Sequence, residues 1–310
     1  MFIDLEKVFD TVNHKILLSK LEHYGVRGVA NDWFSSYLSL RKQKVSLEGI
    51  SSEYRDISCG VPQGSILGPL LFLLYINDMH KAVKHSLMHH FADDTNLLCS
   101  DKDPKQLRKK MNEDLKLIFE WLCANRLSLN VSKTEFIIFK PPRKSLTERF
   151  TLKLNGVVLF ESTKIKYLGV IMDDRLSWKY HIFELRKKLN KSIGIIFKMK
   201  KLCPQRILLS LYYSLVYSHL SYGICVWGNA DDNLLEKVRV AQKKVVRILG
   251  NADFLAPTSE IFKSLNILTL DDIFLHQYAC LMWDQDHEIL PKCFHSYFKQ
   301  VIGIHTHNTR

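Results

Sequence analysis

"LMHHFADDTNLL", residues 87–98, sets two adjacent carboxylates, Asp93 and Asp94, between two short apolar runs. The flanking runs favour burial and the acids favour water, so the segment reads as two strands with the acids at a hairpin tip. Asp-Asp-Thr-Asn is good turn chemistry, because short polar side chains bond their own backbone and tolerate tight dihedrals. A turn alone would account for them. A third carboxylate changes the weighing: Asp4 lies in the stubby strand read over "FIDL", 89 residues before Asp93. If the two strands are neighbours in one sheet, three carboxylates converge at one end. Such a cluster repels itself unless cations fill it. Oxygen-only donors point to Mg2+ or Mn2+, and two such ions about 3.5–4 Å apart form the clamp used in phosphodiester chemistry. With so little chain ahead of it, the strand carrying Asp4 is expected to fray.

The chain of 310 residues is long enough for two ordinary domains and a sizeable core. A composition 46% hydrophobic and 25% charged is that of a folded soluble protein. The net charge of +12 suggests a polyanionic partner, nucleic acid or a membrane surface, without choosing between them. Seven cysteines, with no C-x-x-C, read as reduced and mostly buried thiols of an intracellular protein with no zinc site. The start, "MFIDLEKVFD", does not look like a signal peptide. The apolar run 66–76 has 11 residues, too short to span a bilayer. The longer run 207–227 carries His219 and many serines and tyrosines, and reads as a buried helix pair broken near His219 to Tyr222.

Along the chain, "NHKILLSKLEHYG" predicts a helix stopped by Gly25, and a second helix follows over about 29–39. "KVSLEG" and "EYRDISC" alternate about a Gly-Ile-Ser-Ser turn and predict a hairpin. A helix of about 12 residues follows "GVPQG". The clearest helix runs from about 104 to 125, with Leu107, Met111, Leu115, Ile118 and Leu122 on one face. "EFIIFK", "FTLKLNG" and "KYLGVIM" read as short strands, and 141–149 as a surface loop. From about 178 onward the chain reads as helical. The result is a mixed α/β part to about 175 and an α-helical part beyond it, whose last sixty residues show no readable chemistry.

Two further features carry possible chemistry. In "CGVPQGSILGPLLF" (59–72), Gly60, Gly64 and Gly68 recur around Pro62 and Gln63. Glycines let the backbone approach a planar ligand, and Gln63 offers donor and acceptor; the plain alternative is a loop with a helix cap at Ser65. Between 179 and 206 there are nine Lys or Arg against one acid, Glu184. Ile182, Leu185, Leu189 and Ile193 mark the other face of that helix. Its basic face, Arg186, Lys187 and Lys191 included, suits a nucleic-acid backbone gripped without sequence readout; an ordinary solvated face is the alternative.

"FIDLEKVFDTVNHKILL", "GVPQGSILGPLLFLLYINDM", "FADDTNLL", "LSLNVSKTEFIIF" and "IKYLGVIMDDRLSW" stand in the order of the reverse transcriptase palm motifs A to E. The chain resembles the reverse transcriptases of non-LTR retrotransposons from residue 1 to about 180, and "SLVYSHLSYGICVWGNA" with "VRVAQKKVVRILG" is similar to their thumb and trailing region. The resemblance implies an α+β fold: a palm at 1–175 with an antiparallel sheet packed on helices, a helical thumb or connection at 176–250, and a helical C-terminal region at 251–310. In the family a fingers region precedes motif A, so a piece of a larger polyprotein is expected, without fingers or endonuclease. The implied activity is RNA-directed DNA polymerisation with two Mg2+ ions (Mn2+ possible), on an RNA template, a DNA primer and dNTPs, inside the cell, nucleus or cytoplasm, and off the membrane. Asp4, Asp93 and Asp94 match the metal ligands and Phe9 the steric gate against a ribonucleotide 2′-hydroxyl. Gln63 and Gly64 match the nucleotide cradle, Lys133 the general acid for pyrophosphate, and Tyr167, Leu168 and Gly169 the primer grip. Asp10 reads as helix-capping. A catalytically inactive relic that only binds nucleic acid is the other reading, and a splicing maturase a third.

Overall fold

A computed structural model describes residues 1–140, 150–294 and 298. The expected loop at 141–149 and the final "HTHNTR" lie outside the described residues. The chain divides into two compact units, Met1–Thr163 and Lys164–Arg310, each with its own hydrophobic core. The division falls ahead of "KYLGVIM", not after it as the reading of 1–175 had it, because that segment packs with the helices that follow.

The first unit begins with β1 (Phe2–Ile3), α1 (Val8–Thr11), α2 (His14–His23) and α3 (Val29–Leu38). Asn13 caps α2, its side-chain oxygen accepting the Ile16 N–H at 3.1 Å, and Gly25 at φ +97° ends it. An exposed arm follows, with β2 (Lys42–Gln43) and β3 (Ser46–Leu47) returning as β4 (Ile50–Ser51) and β5 (Arg55–Asp56). Its tip is Glu48-Gly49, both at positive φ, and not the Gly-Ile-Ser-Ser expected; a two-residue hairpin turn favours that dihedral pair. Next come α4 (Leu67–Ile76), β6 (Leu87–Phe91), β7 (Asp94–Leu98), α5 (Pro104–Ala124), β8 (Glu135–Phe136), β9 (Lys153–Leu154), β10 (Val157–Val158) and β11 (Phe160–Glu161).

Five of these strands form one sheet in the order β11-β8-β1-β7-β6, antiparallel except between β8 and β11. The two-residue β1 is therefore the central strand. Phe2 faces Asn96 on one side and Glu135 on the other, and the Leu97 N–H donates to the Met1 carbonyl at 2.9 Å. The expected fraying is opposed by neighbours on both edges. Leu17, Leu21, Leu71, Phe72, Tyr75, Leu115 and Ile118 are fully buried in this unit's core. Asp114 of α5 is buried among them. Its carboxylate accepts the Lys84 N–H at 2.8 Å, the Ser86 hydroxyl at 2.6 Å and the His85 N–H at 3.2 Å, fixing the chain as it enters β6.

In the second unit, "KYLGVIM" is a hairpin and not a single strand: β12 (Lys164–Tyr167) pairs with β13 (Val170–Asp173). The buried Asp173 accepts the Ser177 and Trp178 N–H groups and the Ser177 hydroxyl at 3.0–3.1 Å, turning the chain into α6 (Lys179–Met199). Then follow α7 (Gln205–Tyr212), a wider π-type turn over Tyr213–Tyr217, α8 (Ser218–Ser221), α9 (Ile224–Trp227), α10 (Asp232–Leu249), α11 (Ser259–Ser264) and α12 (Leu270–Asp286). The break between α8 and α9 falls at Tyr222-Gly223, with Gly223 at φ +62°. The core here runs from Trp178 to Ile273. Among the described residues no helix is long and apolar enough to cross a membrane. The cysteines are less buried than expected: Cys59, Cys123 and Cys280 are exposed, and Cys99, Cys203 and Cys225 half-buried. Among the described cysteines, Cys99 and Cys203 pack against the edges of the two cores, and the exposed ones lie in a loop or on outer helix faces.

Candidate active site

The register of β1 against β7, Phe2 to Asn96 and Ile3 to Thr95, makes Asp4 and Asp94 the next facing pair. Asp93 sits beside them, because β6 and β7 pair from Phe91–Asp94 outward and leave only Ala92 and Asp93 at the tip. Ala92 is held at φ +53°, a left-handed conformation that L-residues with a side chain seldom adopt. Burial raises the Asp94 carboxyl above the usual carboxylate range, and the charges of Asp93 and Asp4 raise it further. Asp94 thus carries the charges of both other acids, after the effect of its own burial.

A second shore holds Asp4. The Asn130 N–H donates to the Asp4 carbonyl at 2.8 Å, and the Asp4 N–H donates to the buried Thr134 hydroxyl at 3.3 Å. The Asn130–Thr134 turn is closed on the Asn130 carbonyl by the Thr134 N–H and hydroxyl. That turn presents Lys133, whose Nζ lies 3.9 Å from Asp4 Oδ2. Among the described residues no three His, Cys, Asp or Glu side chains are gathered closely enough to hold one ion; Asp4 faces Lys133. The donor chemistry nonetheless fits a hard cation: three carboxylates at the ends of adjoining strands, one of them pushed upward by burial first and then by the charges of the other two.

The glycine loop is fastened to α1. The Gly60 N–H donates to the Val12 carbonyl and the Val61 N–H to the Phe9 carbonyl, each at 2.7 Å, and His14 Nε2–H donates to the Gly60 carbonyl at 2.7 Å. Gly60 has φ +89°, and a Cβ there would stand 2.9 Å from the Phe9 and Asp10 carbonyls. Phe9 is half-buried against Phe72, with ring centroids 4.9 Å apart. Gln63 is exposed and donates its amide N–H to Asp10 Oδ1 at 2.9 Å; Gly64, φ +80°, has open space around it. The structure therefore brings Phe9, Gln63 and Gly64 onto one loop–helix assembly. Asp10 does not cap α2, since Asn13 does that; it orients Gln63. An acid directly after the bulky Phe9, with no helix start to cap, was the signal for this.

In the second unit, Tyr167 pairs with Val170 across a turn made by Leu168 at φ +44° and Gly169 at φ +81°. On α6, Lys187 bonds Glu184 at 2.9 Å and lies 4.3 Å from the Phe183 ring; Lys191 is exposed. Arg186 lines a cavity of about 760 Å³ whose basic rim also includes Lys164 and Lys166 of β12, Lys179, and Lys237 of α10. The basic surface therefore extends beyond the helix that displayed it in the sequence.

Residues 1–172, more than half of the chain, match the family described as reverse transcriptase (RNA-dependent DNA polymerase). The chain belongs to the reverse transcriptase family. It is similar to the RNA-directed DNA polymerases from mobile element jockey of Drosophila funebris (30% identical, 87% of this chain) and of Drosophila melanogaster (29%, 87%). It is also similar to the probable RNA-directed DNA polymerase from transposon X-element of Drosophila melanogaster (25%, 88%). These matches cover 30% of each relative, so the chain spans about 30% of their length. This is a reverse transcriptase domain of the non-LTR retrotransposon kind. The reverse transcriptase match runs through the Leu168–Gly169 turn and ends at Met172, just inside the second unit.

Proposed function

We propose that the first unit is the palm of an RNA-directed DNA polymerase and that the second, with its basic α6, is the thumb. The observation that carries this is the pairing of β1 with β7, which sets Asp4 at the end of one strand and Asp93 and Asp94 at the start of the next; burial first, then the charges of Asp93 and Asp4, raises the Asp94 carboxyl. These three side chains would hold two Mg2+ ions, which when bound activate the primer 3′-hydroxyl and neutralise the triphosphate. Asp4 Oδ2 would then exchange the Lys133 ammonium for a metal. The freed Lys133, 71% exposed on its turn, would stand ready to give a proton to the leaving pyrophosphate. Phe9 narrows the space at the sugar, and Gln63, held by Asp10, meets the nucleotide with Gly64 beside it. Tyr167, Leu168 and Gly169 position the primer end, and Arg186, Lys187 and Lys191 bind backbone phosphates.

The substrates on this reading are an RNA template, a DNA primer and dNTPs. The partner is the remainder of a longer polyprotein, as the relatives' length supports. The test is primer extension with Mg2+ or Mn2+, beside an Asp93→Ala, Asp94→Ala control. Extension by the native chain alone supports the reading. No extension with salt-sensitive template–primer binding retained supports instead a chain that only binds nucleic acid.

A further inference from the structure

The break between α8 and α9 does more than bend the chain. Tyr222 ends α8 and is 56% exposed, yet its side chain and its backbone are both tied down. Its hydroxyl donates to the Leu168 carbonyl at 2.6 Å. Its own carbonyl accepts the indole N–H of the fully buried Trp227 at 3.0 Å. The ring lies against the hairpin: a Cβ on Gly169 would stand 3.2 Å from Tyr222 Cε1. The next residue closes the same contact, since a Cβ on Gly223 would stand 3.2 Å from Val170 Cγ2. Tyr222, Gly223 and Trp227 thus make a path from the unit's core to the tip of β12–β13.

The tip needs such a restraint. Leu168 sits at φ +44°, a region that bulky L-residues rarely occupy. Such a conformation persists only where the surroundings enforce it. Among the described residues the hairpin is a two-stranded sheet with no third strand beside it. The hydroxyl of Tyr222 bonds the carbonyl of the strained residue itself.

We infer that Tyr222 is a positioning residue that clasps the Leu168–Gly169 turn and thereby sets where the primer 3′ end is held. The second half of this rests on reading Tyr167–Gly169 as the primer grip. The first half stands on the contacts alone.

Two measurements on the full chain test the two halves separately. Hydrogen exchange over residues 165–172 reports turn opening, and a photo-crosslinking nucleotide at the primer 3′ end of an RNA–DNA template–primer reports its placement. Tyr222→Phe removes the hydroxyl and keeps the ring. It is expected to speed exchange in the segment by about threefold to tenfold, the loss of one hydrogen bond, with an unchanged thermal midpoint and a matching fall in crosslinking to the turn. Leu168→Gly adopts positive φ without strain, so adding Tyr222→Phe to it should change exchange less than twofold. Unchanged exchange in Tyr222→Phe, or an equal rise in both backgrounds, overturns the clasp. Exchange behaving as expected, with crosslinks from the native chain mapping elsewhere, keeps the clasp and overturns both the primer-grip reading and the placement of the primer end by Tyr222.

Discussion

The hairpins β6–β7 and β12–β13 share a design. Each is antiparallel, each turns in two residues, and each places a non-glycine side chain at positive φ first in the turn: Ala92 at +53° and Leu168 at +44°. They differ in what enforces that conformation. The first has β1 hydrogen-bonded along β7, so a sheet holds it and its tip is free to carry charge. The second has no third strand among the described residues and is held by side chains, Tyr222 at its tip and His181 along β13, where the Ile171 N–H donates to His181 Nδ1 at 3.4 Å. A backbone-held turn tolerates substitution at its tip for chemistry. A side-chain-held turn is only as firm as two or three residues that are distant in sequence.

The largest expected effect lies at the first tip. On the two-metal reading, Asp93→Ala with Asp94→Ala should lower primer extension by on the order of a thousandfold or more, since the ions held there would contribute several kcal/mol. Folding should be unaffected, because the sheet and not the acids holds the turn. Circular dichroism beside the extension assay checks both; loss of fold would break the contrast. Next in size, on the proposed reading of the second unit as a thumb, is its basic surface. Replacing Arg186, Lys187 and Lys191 by Gln should weaken template–primer binding about tenfold to a hundredfold. The slope of log Kd against log salt should flatten by roughly 2 to 3, about 0.7–0.9 per lost phosphate contact.

Acid should loosen the second hairpin through His181. Burial, then the charge of Lys188, lowers this histidine from 6.5 to about 4. It is neutral in the fold and protonates in the unfolded chain, so its stabilisation is full above pH 6.5 and is lost as pH falls toward 4. The full shift corresponds to about 3.4 kcal/mol, which solvent screening cuts to roughly 2, and His181→Gln should flatten the loss in urea titrations from pH 7 to 4. His90 in β6 shifts the same way, by burial and then the charges of His80 and His89, and adds its own loss in the first unit. The smallest effect sharpens the comparison most. Ala92→Gly should leave stability unchanged or raise it by up to about 1 kcal/mol, relief of strain against added chain entropy. A clear loss of stability in equilibrium unfolding would show that Ala92 is held by contacts other than the strand ladder.

What was legible in the sequence was local. The acids at 93 and 94 announced their hairpin because two charges between apolar runs have few other places to go. The helix over 104–124 showed its spacing; its cap, Asp103, which accepts the Lys105 N–H at 3.0 Å, comes from the structure. What was hidden depends on partners far along the chain. Asp114 reads as one more charge on a charged helix, yet its carboxylate is buried against residues 84–86, some 30 positions away. "KYLGVIM" passes for one strand because leucine carries no turn signal and only Gly169 betrays the reversal. Asp10 looked like a cap because its partner, Gln63, is 53 residues distant. At the site itself the pairing of β1 with β7, which the sequence reading assumed, is present; the ion pair of Asp4 with Lys133 was not foreseeable.

Gly60 has one consequence that reaches the chemistry of sugars. Because the Phe9 and Asp10 carbonyls lie 2.9 Å from where its Cβ would be, the residue that would screen the ribose and the loop that would seat the base are two faces of a single jaw. No side chain at position 60 can be added without prising them apart. Discrimination between deoxy- and ribonucleotides would then be set at a residue that offers no side chain of its own, and a variant that relaxes it should arise there as readily as at Phe9.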